Sequence, residues 1–155
     1  MNNLNFGKTS VDKFKELKED YSEFIKDKTS TKLALDYAMN AWHLAEWIYK
    51  EYNLCVYFPT LKLYQDDVVL QCPALKIMHD LANGNKHYLI TKYRPTVKNT
   101  TISTGAFSSD FSRDFDISTL VIELNDGSEI YFEDEIEKAM IYWEDYFKTE
   151  LGVTI

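Results

Sequence analysis

Cysteine is scarce in this chain, with only Cys55 and Cys72 among 155 residues. They lack the C-x-x-C spacing of a zinc ligand pair, so they are expected to pack as small apolar side chains. Long apolar runs are absent too, and no segment is suited to crossing a bilayer. The opening residues Met1-Asn2-Asn3-Leu4-Asn5-Phe6 lack the apolar stretch of a secretory signal. These absences point to the cytoplasm and to no membrane partner. Internal repeats are also missing.

What the chain does have is apolar and aromatic material. Hydrophobic residues make up 45% and aromatic residues 15%, which excludes global disorder. Eleven Tyr, nine Phe and three Trp predict a core of large rings whose polar tips reach its edge. The length fits one domain over residues 1–155.

The net charge of -8 would repel a phosphate backbone if it were spread evenly. It is not. From Leu81 to Ser109 there are Lys86, Lys92, Arg94 and Lys98 and no acid, a net of +4. From Asp110 to Ile155, 13 acids face three bases, a net of -10.

Hydrophobic spacing predicts a mainly α fold. One helix is expected over about 10–28, capped by Ser10, with Val11, Phe14, Leu17, Tyr21, Phe24 and Ile25 on one face. A second is expected over about 31–52. Its Ala34, Ala38, Ala41 and Ala45 form a small-residue seam that lets a neighbour approach closely, so it is the central helix. Asp36, Asn40, His43 and Trp47 make another stripe on it, with His43 expected to be structural. Residues 53–71 are expected to form a connection, because Pro59 and Asp66-Asp67 interrupt the pattern. A third helix over about 73–87 opens at Pro73 and continues past Gly84. Strands are expected over about 96–104, 119–124 and 129–133, the last two joined by a turn at Asn125-Asp126-Gly127-Ser128. Phe107, Phe111 and Phe115 suggest a short helix or an anchored loop between strands. The last helix is expected over about 134–150, with Asp134 and Glu137 as a capping box. The whole is a bundle of about four helices with a small antiparallel sheet before the last.

Chemistry concentrates in Cys72–Tyr88, CPALKIMHDLANGNKHY. His79, Asn83 and His87 are spaced by four and share a helical face. At about 1.5 Å rise per residue, His79 and His87 stand roughly 12 Å apart, too far for one ion. No metal site and no cofactor are expected.

The segment HDLANGNKH resembles the motif of the HEPN family (higher eukaryotes and prokaryotes nucleotide-binding). Those proteins are helical bundles whose motif is an Arg, usually a polar residue next, three variable residues, then His. Asn83 and His87 stand at the polar and His positions, and Ala82 stands where the Arg belongs. The resemblance implies that His87 is an acid–base residue and that Asn83 orients it or a phosphate. In active members, paired motifs from two subunits line one cleft, which implies a homodimer. Such cleavage needs no metal: a 2′-hydroxyl attacks its own phosphate, a His moves the proton and an Arg braces the charge. Ala82 offers neither charge nor donor. Lys86, one turn on, supplies a point charge but not a bidentate fork.

The resemblance therefore implies a catalytically weak or inactive HEPN-like protein of a phage-defence or toxin–antitoxin setting. It would bind nucleotide, RNA or a protein partner through His79, Asn83, Lys86 and His87, with Lys92, Arg94 and Lys98 as further phosphate contacts. Two alternatives stand beside it. One is a metal-independent endoribonuclease using His87. The other is an acidic interaction module acting through Glu133, Asp134, Glu135 and Glu137. Plain structural roles compete with all three. His87 could cap a helix C-terminus, Asn83 could bond a neighbouring carbonyl, and Asp80 could partner His79 or sit in solvent. The basic segment could simply balance the acidic last helix.

Overall fold

The computed structural model describes residue 2 and residues 4–91, 93–103 and 118–155. Among these it contains five α-helices and one three-stranded sheet: α1 (Ser10–Lys26), α2 (Thr31–Glu51), α3 (Leu61–Gln71), α4 (Ala74–Lys86), β1 (Val97–Ser103), β2 (Thr119–Leu124), β3 (Glu129–Tyr131) and α5 (Phe132–Thr149). The chain is thus mainly helical, with an antiparallel sheet before the last helix. The stretch holding Phe107, Phe111 and Phe115 lies outside the described residues.

The central helix is α2, which packs against all four other helices. Its alanine seam is buried throughout, Ala38, Ala41 and Ala45 completely. Small side chains there let larger ones come in from both sides. Tyr37 donates its hydroxyl to the Ile136 carbonyl at 3.0 Å, and Trp143 Nε1 donates to the Ala41 carbonyl at 3.0 Å. Both bonds tie α2 to α5 and satisfy the polar tips of buried rings. Phe14 stacks on Phe147 with centroids 4.5 Å apart, and Phe24 meets Phe132 edge-on at 5.1 Å. Each such fully buried side chain contributes about 1.5–3 kcal/mol.

Helix ends differ from the sequence expectation where tertiary contacts intervene. Thr9, not Ser10, caps α1: its hydroxyl accepts from the Asp12 N–H at 3.2 Å, and Asp12 Oδ2 accepts from the Thr9 N–H at 2.9 Å. Ser10 is instead buried, and its N–H donates to Glu51 Oε2 at 2.6 Å. Helix α5 starts at Phe132, two residues before the expected Asp134, with no side-chain cap. Burial of Phe132 against Phe24 fixes that start, while Glu133, Asp134 and Glu135 favour the positive end of the helix dipole.

The expected connection over 53–71 is largely a helix. After a short 3-10 turn at Leu54–Val56, the Thr60 hydroxyl accepts from the Leu63 N–H at 3.3 Å and opens α3. Tyr64 and Val68, one turn apart, are its buried residues. Leu63 and Leu70 point outward, 49% and 80% exposed, which blurs the apolar stripe in the sequence. Asp66 pairs with Lys62, and Asp67 accepts from Gln71 Nε2 at 2.6 Å, so the acidic pair supports the helix.

The sheet order is β1-β2-β3, with Val97 opposite Leu124, an irregularity before Asn99, and Ile122 opposite both Thr100 and Ile130. The turn after β2 closes as expected. Gly127 takes φ 86°, and Asp126 Oδ1 accepts from the Ser128 N–H at 2.9 Å. Leu120, Val121 and Ile122 are buried on β2, which packs against α5, while most of β1 is exposed. Among the described residues no helix is long and apolar enough to cross a membrane.

Candidate functional site at the end of α4

Helix α4 begins with Pro73 at φ -56°, a value set by its ring, and runs through Gly84 to Lys86. Its apolar residues Leu75, Ile77, Met78 and Leu81 are buried, and so is Ala82, which stands at the Arg position of the resembled motif. The polar residues follow at the far end. His87 is the C-cap, with extended backbone, and its N–H donates to the Asn83 carbonyl at 2.9 Å. Asn83 Nδ2 donates to the His79 carbonyl at 2.9 Å, and the Asn83 side chain also reaches the Tyr93 phenol. Lys86 and His87 are exposed and Asn83 is half-buried.

Asn83 and His87 line one hollow of about 90 Å³, completed by Leu89, Ile90, Thr91 and Tyr93. At ~30 Å³ per water it holds about three waters, the scale of one phosphoryl group. It is well below the ~300 Å³ at which pockets for larger organic ligands begin.

Beside the hollow lies a group of rings in tilted contact. The His79 ring sits between Trp42 of α2 at 4.5 Å and Tyr93 at 5.0 Å, and Lys76 Nζ lies 4.9 Å from the Tyr93 centroid. Asp80 anchors this group from below, only 4% exposed. Its Oδ2 accepts from the N–H groups of Thr96 at 2.7 Å and Val97 at 3.0 Å. Its Oδ1 accepts from the Tyr93 hydroxyl at 3.1 Å and from Lys76 Nζ. Burial by itself would raise the Asp80 pKa. The neighbouring His79 ring, the Lys76 ammonium and the Val97 N–H outweigh it and hold the carboxyl at about 2. The Tyr93 phenol is pushed the other way, by burial and by the Asp80 charge beside it. Asp80 is thus neither a solvated charge nor a partner of His79 alone.

The remaining candidates are scattered. Arg94 is exposed, and no ion pair among the described residues involves it or Lys86. Lys98 lies on β1 and pairs across the sheet with Glu123 at 3.0 Å, so its charge is balanced by β2 and not by the last helix. Lys92 lies outside the described residues. His43 projects from α2 at the surface. Desolvation by its neighbours holds its pKa below the usual histidine value, with the Lys13 and Lys86 ammoniums adding to the effect. The acidic start of α5 is partly spent within the fold: Glu133 pairs with Lys28 at 2.6 Å, and buried Glu135 pairs with Lys138 at 2.7 Å. Among the described residues no three His, Cys, Asp or Glu side chains gather as a metal site.

Sequence spacing missed Tyr93 and Trp42, because neither lies on α4. A signal for Asp80 was present. It falls three residues after Ile77 and next to Leu81, on the buried side of the helix, where a carboxylate requires partners. No family model, curated protein or solved structure matches this chain.

Proposed function

We propose that this chain is a HEPN-like protein that binds RNA or a nucleotide through one phosphate seated at the end of α4, with little or no cleavage of its own. The observation that carries this reading is the shared hollow of Asn83 and His87, phosphoryl-sized, with exposed Lys86 next to His87 in the chain. All of its lining residues fall within the acid-free run from Leu81 to Ser109, and Asp80, the acid that precedes that run in the sequence, is already engaged by an ammonium, a phenol and two amides.

Electrostatics sets a limit on affinity. A helix C-terminus carries about half a negative charge, which opposes an anion. Lys86 and Arg94 must outweigh it, and binding is therefore modest and steeply weakened by salt. Catalysis is disfavoured because position 82 is a buried alanine. A missing donor to developing charge costs about a hundredfold or more in rate. The cytoplasm, a defence or toxin–antitoxin setting and pairing of two copies belong to the same reading.

The test is titration of a fluorescently labelled single-stranded RNA 12-mer into the protein at low salt. The reading expects saturable binding that Lys86→Ala and His87→Ala each weaken. Absence of binding, or binding indifferent to both substitutions, removes it. Incubation of the same RNA with EDTA separates binding from cleavage: intact RNA supports the binding reading, and scission lost in His87→Ala supports an endoribonuclease.

A further inference from the structure

We infer that Asp80 is a positioning residue for this hollow, acting through Tyr93. The functional half of the inference rests on the binding reading above.

The hollow has two kinds of wall. Asn83 and His87 belong to α4 and its cap, which the helix itself holds in place. The facing wall, made by Leu89, Ile90, Thr91 and Tyr93, belongs to no helix or strand, and Leu89 is 71% exposed. Something must hold that wall at a fixed distance from the helix. The Tyr93 hydroxyl donates to Asp80, and Asp80 lies on the same helix as Asn83, one turn earlier. The phenol therefore ties the wall back to the element that carries the opposite side. Lys76 closes the group by touching both the Asp80 carboxylate and the Tyr93 ring.

Anchoring β1 alone does not account for this arrangement. Residues 95 and 96 are held independently of Asp80, since Asn125 Nδ2 donates to the Pro95 carbonyl and the Asn125 N–H donates to the Thr96 carbonyl at 3.1 Å. The Oδ1–Tyr93 bond goes to no strand residue and holds a ring that lines the hollow and also touches His79 and Lys76. A buried carboxylate is costly unless each lone pair is used, and here half of them serve Tyr93 and its cation.

The experiment is a double-mutant cycle on the full chain with the RNA 12-mer as probe, joined to NMR of Tyr93. Asp80→Asn is expected to weaken binding about tenfold and Tyr93→Phe about threefold. The double variant should be no weaker than Asp80→Asn, because both break one linkage. The Tyr93 ring resonances should shift and broaden in Asp80→Asn. Losses that multiply, or Asp80→Asn binding like wild type while the Thr96 and Val97 amides exchange faster, would make Asp80 a strand anchor only and overturn the inference. Should wild type not bind the probe, the function fails separately, and the linkage is judged by the Tyr93 resonances: unchanged resonances in Asp80→Asn overturn it. Should Asp80→Asn fail to fold, Asp80→Glu takes its place in the cycle, with a loss that Tyr93→Phe does not deepen in support and losses that multiply against.

Discussion

The two ends of α4 live under different constraints. From Ala74 to Ala82 the helix is mostly sealed, with Leu75 and Met78 fully buried against α2 and its neighbours. From Asn83 onward the side chains meet solvent, and the chain leaves the helix through His87 into an exposed run of Tyr88 and Leu89. One helix therefore supplies stability at its first end and a candidate site at its last. The lesson is that the motif residues are cheap to change and the residues beneath them are not. Asp80 stands at the border, because it is buried like the first end but serves the second.

Substitution tests that contrast from its strong end to its weak end. Leu75→Ala should destabilise the fold by ~3 kcal/mol, the transfer loss plus the cavity, read as a lower denaturant midpoint. A loss under ~1 kcal/mol would mean that the first end is less tightly packed than its burial implies.

Asp80 gives the next largest effect, visible in acid. Its folded-state carboxyl is held at about 2, below the unfolded value of 3.8, so the charged form favours the folded state. That contribution is present above the unfolded value and is lost as pH falls through the folded one. At ~1.36 kcal/mol per unit it amounts to roughly 2 kcal/mol. Stability of the wild type should fall between about pH 4 and pH 2 more steeply than that of Asp80→Asn. Parallel acid limbs for the two proteins would break the assignment of Asp80 to the buried side.

Gly84 reports on the transition between the ends. It is helical, its φ is not positive, and a Cβ built there meets nothing within 4 Å. Gly84→Ala should therefore stabilise the protein by about 0.5–1 kcal/mol, raising the thermal midpoint. Destabilisation would show that the last turn needs freedom that the helix geometry does not reveal.

The smallest expected effect is at the site. Lys86→Ala and His87→Ala should each change unfolding free energy by no more than about 0.5 kcal/mol, since both side chains are exposed. A loss of ~2 kcal/mol in either would make it a structural residue and dissolve the contrast.

Much of the fold was legible before any coordinates. The spacing of Phe14, Leu17 and Phe24 marks the buried face of α1, and the alanines of α2 mark the closest helix approach. Asn125-Asp126-Gly127-Ser128 marks the turn between β2 and β3. Helix α3 was hidden because Leu63 and Leu70 face outward and erase its apolar stripe. Helix α1 starts at Ser10 as expected but is capped by Thr9, with Ser10 bonded to Glu51, and α5 starts two residues early because Phe132 packs on Phe24. At the site, His79 and Asn83 lie one turn apart on α4, whereas His87 leaves the helix as its extended C-cap and Lys98 is drawn off to Glu123.

Order along the chain determined where helices and turns arise, since those depend on partners within about one turn. Only the closed fold decided which groups Asp80 would bond, that Tyr93 and Trp42 would flank His79, and that Asn83 and His87 would share a hollow. Such contacts join residues brought together by loop closure, and their free energy exists only after the entropy of that closure has been overcome by the core.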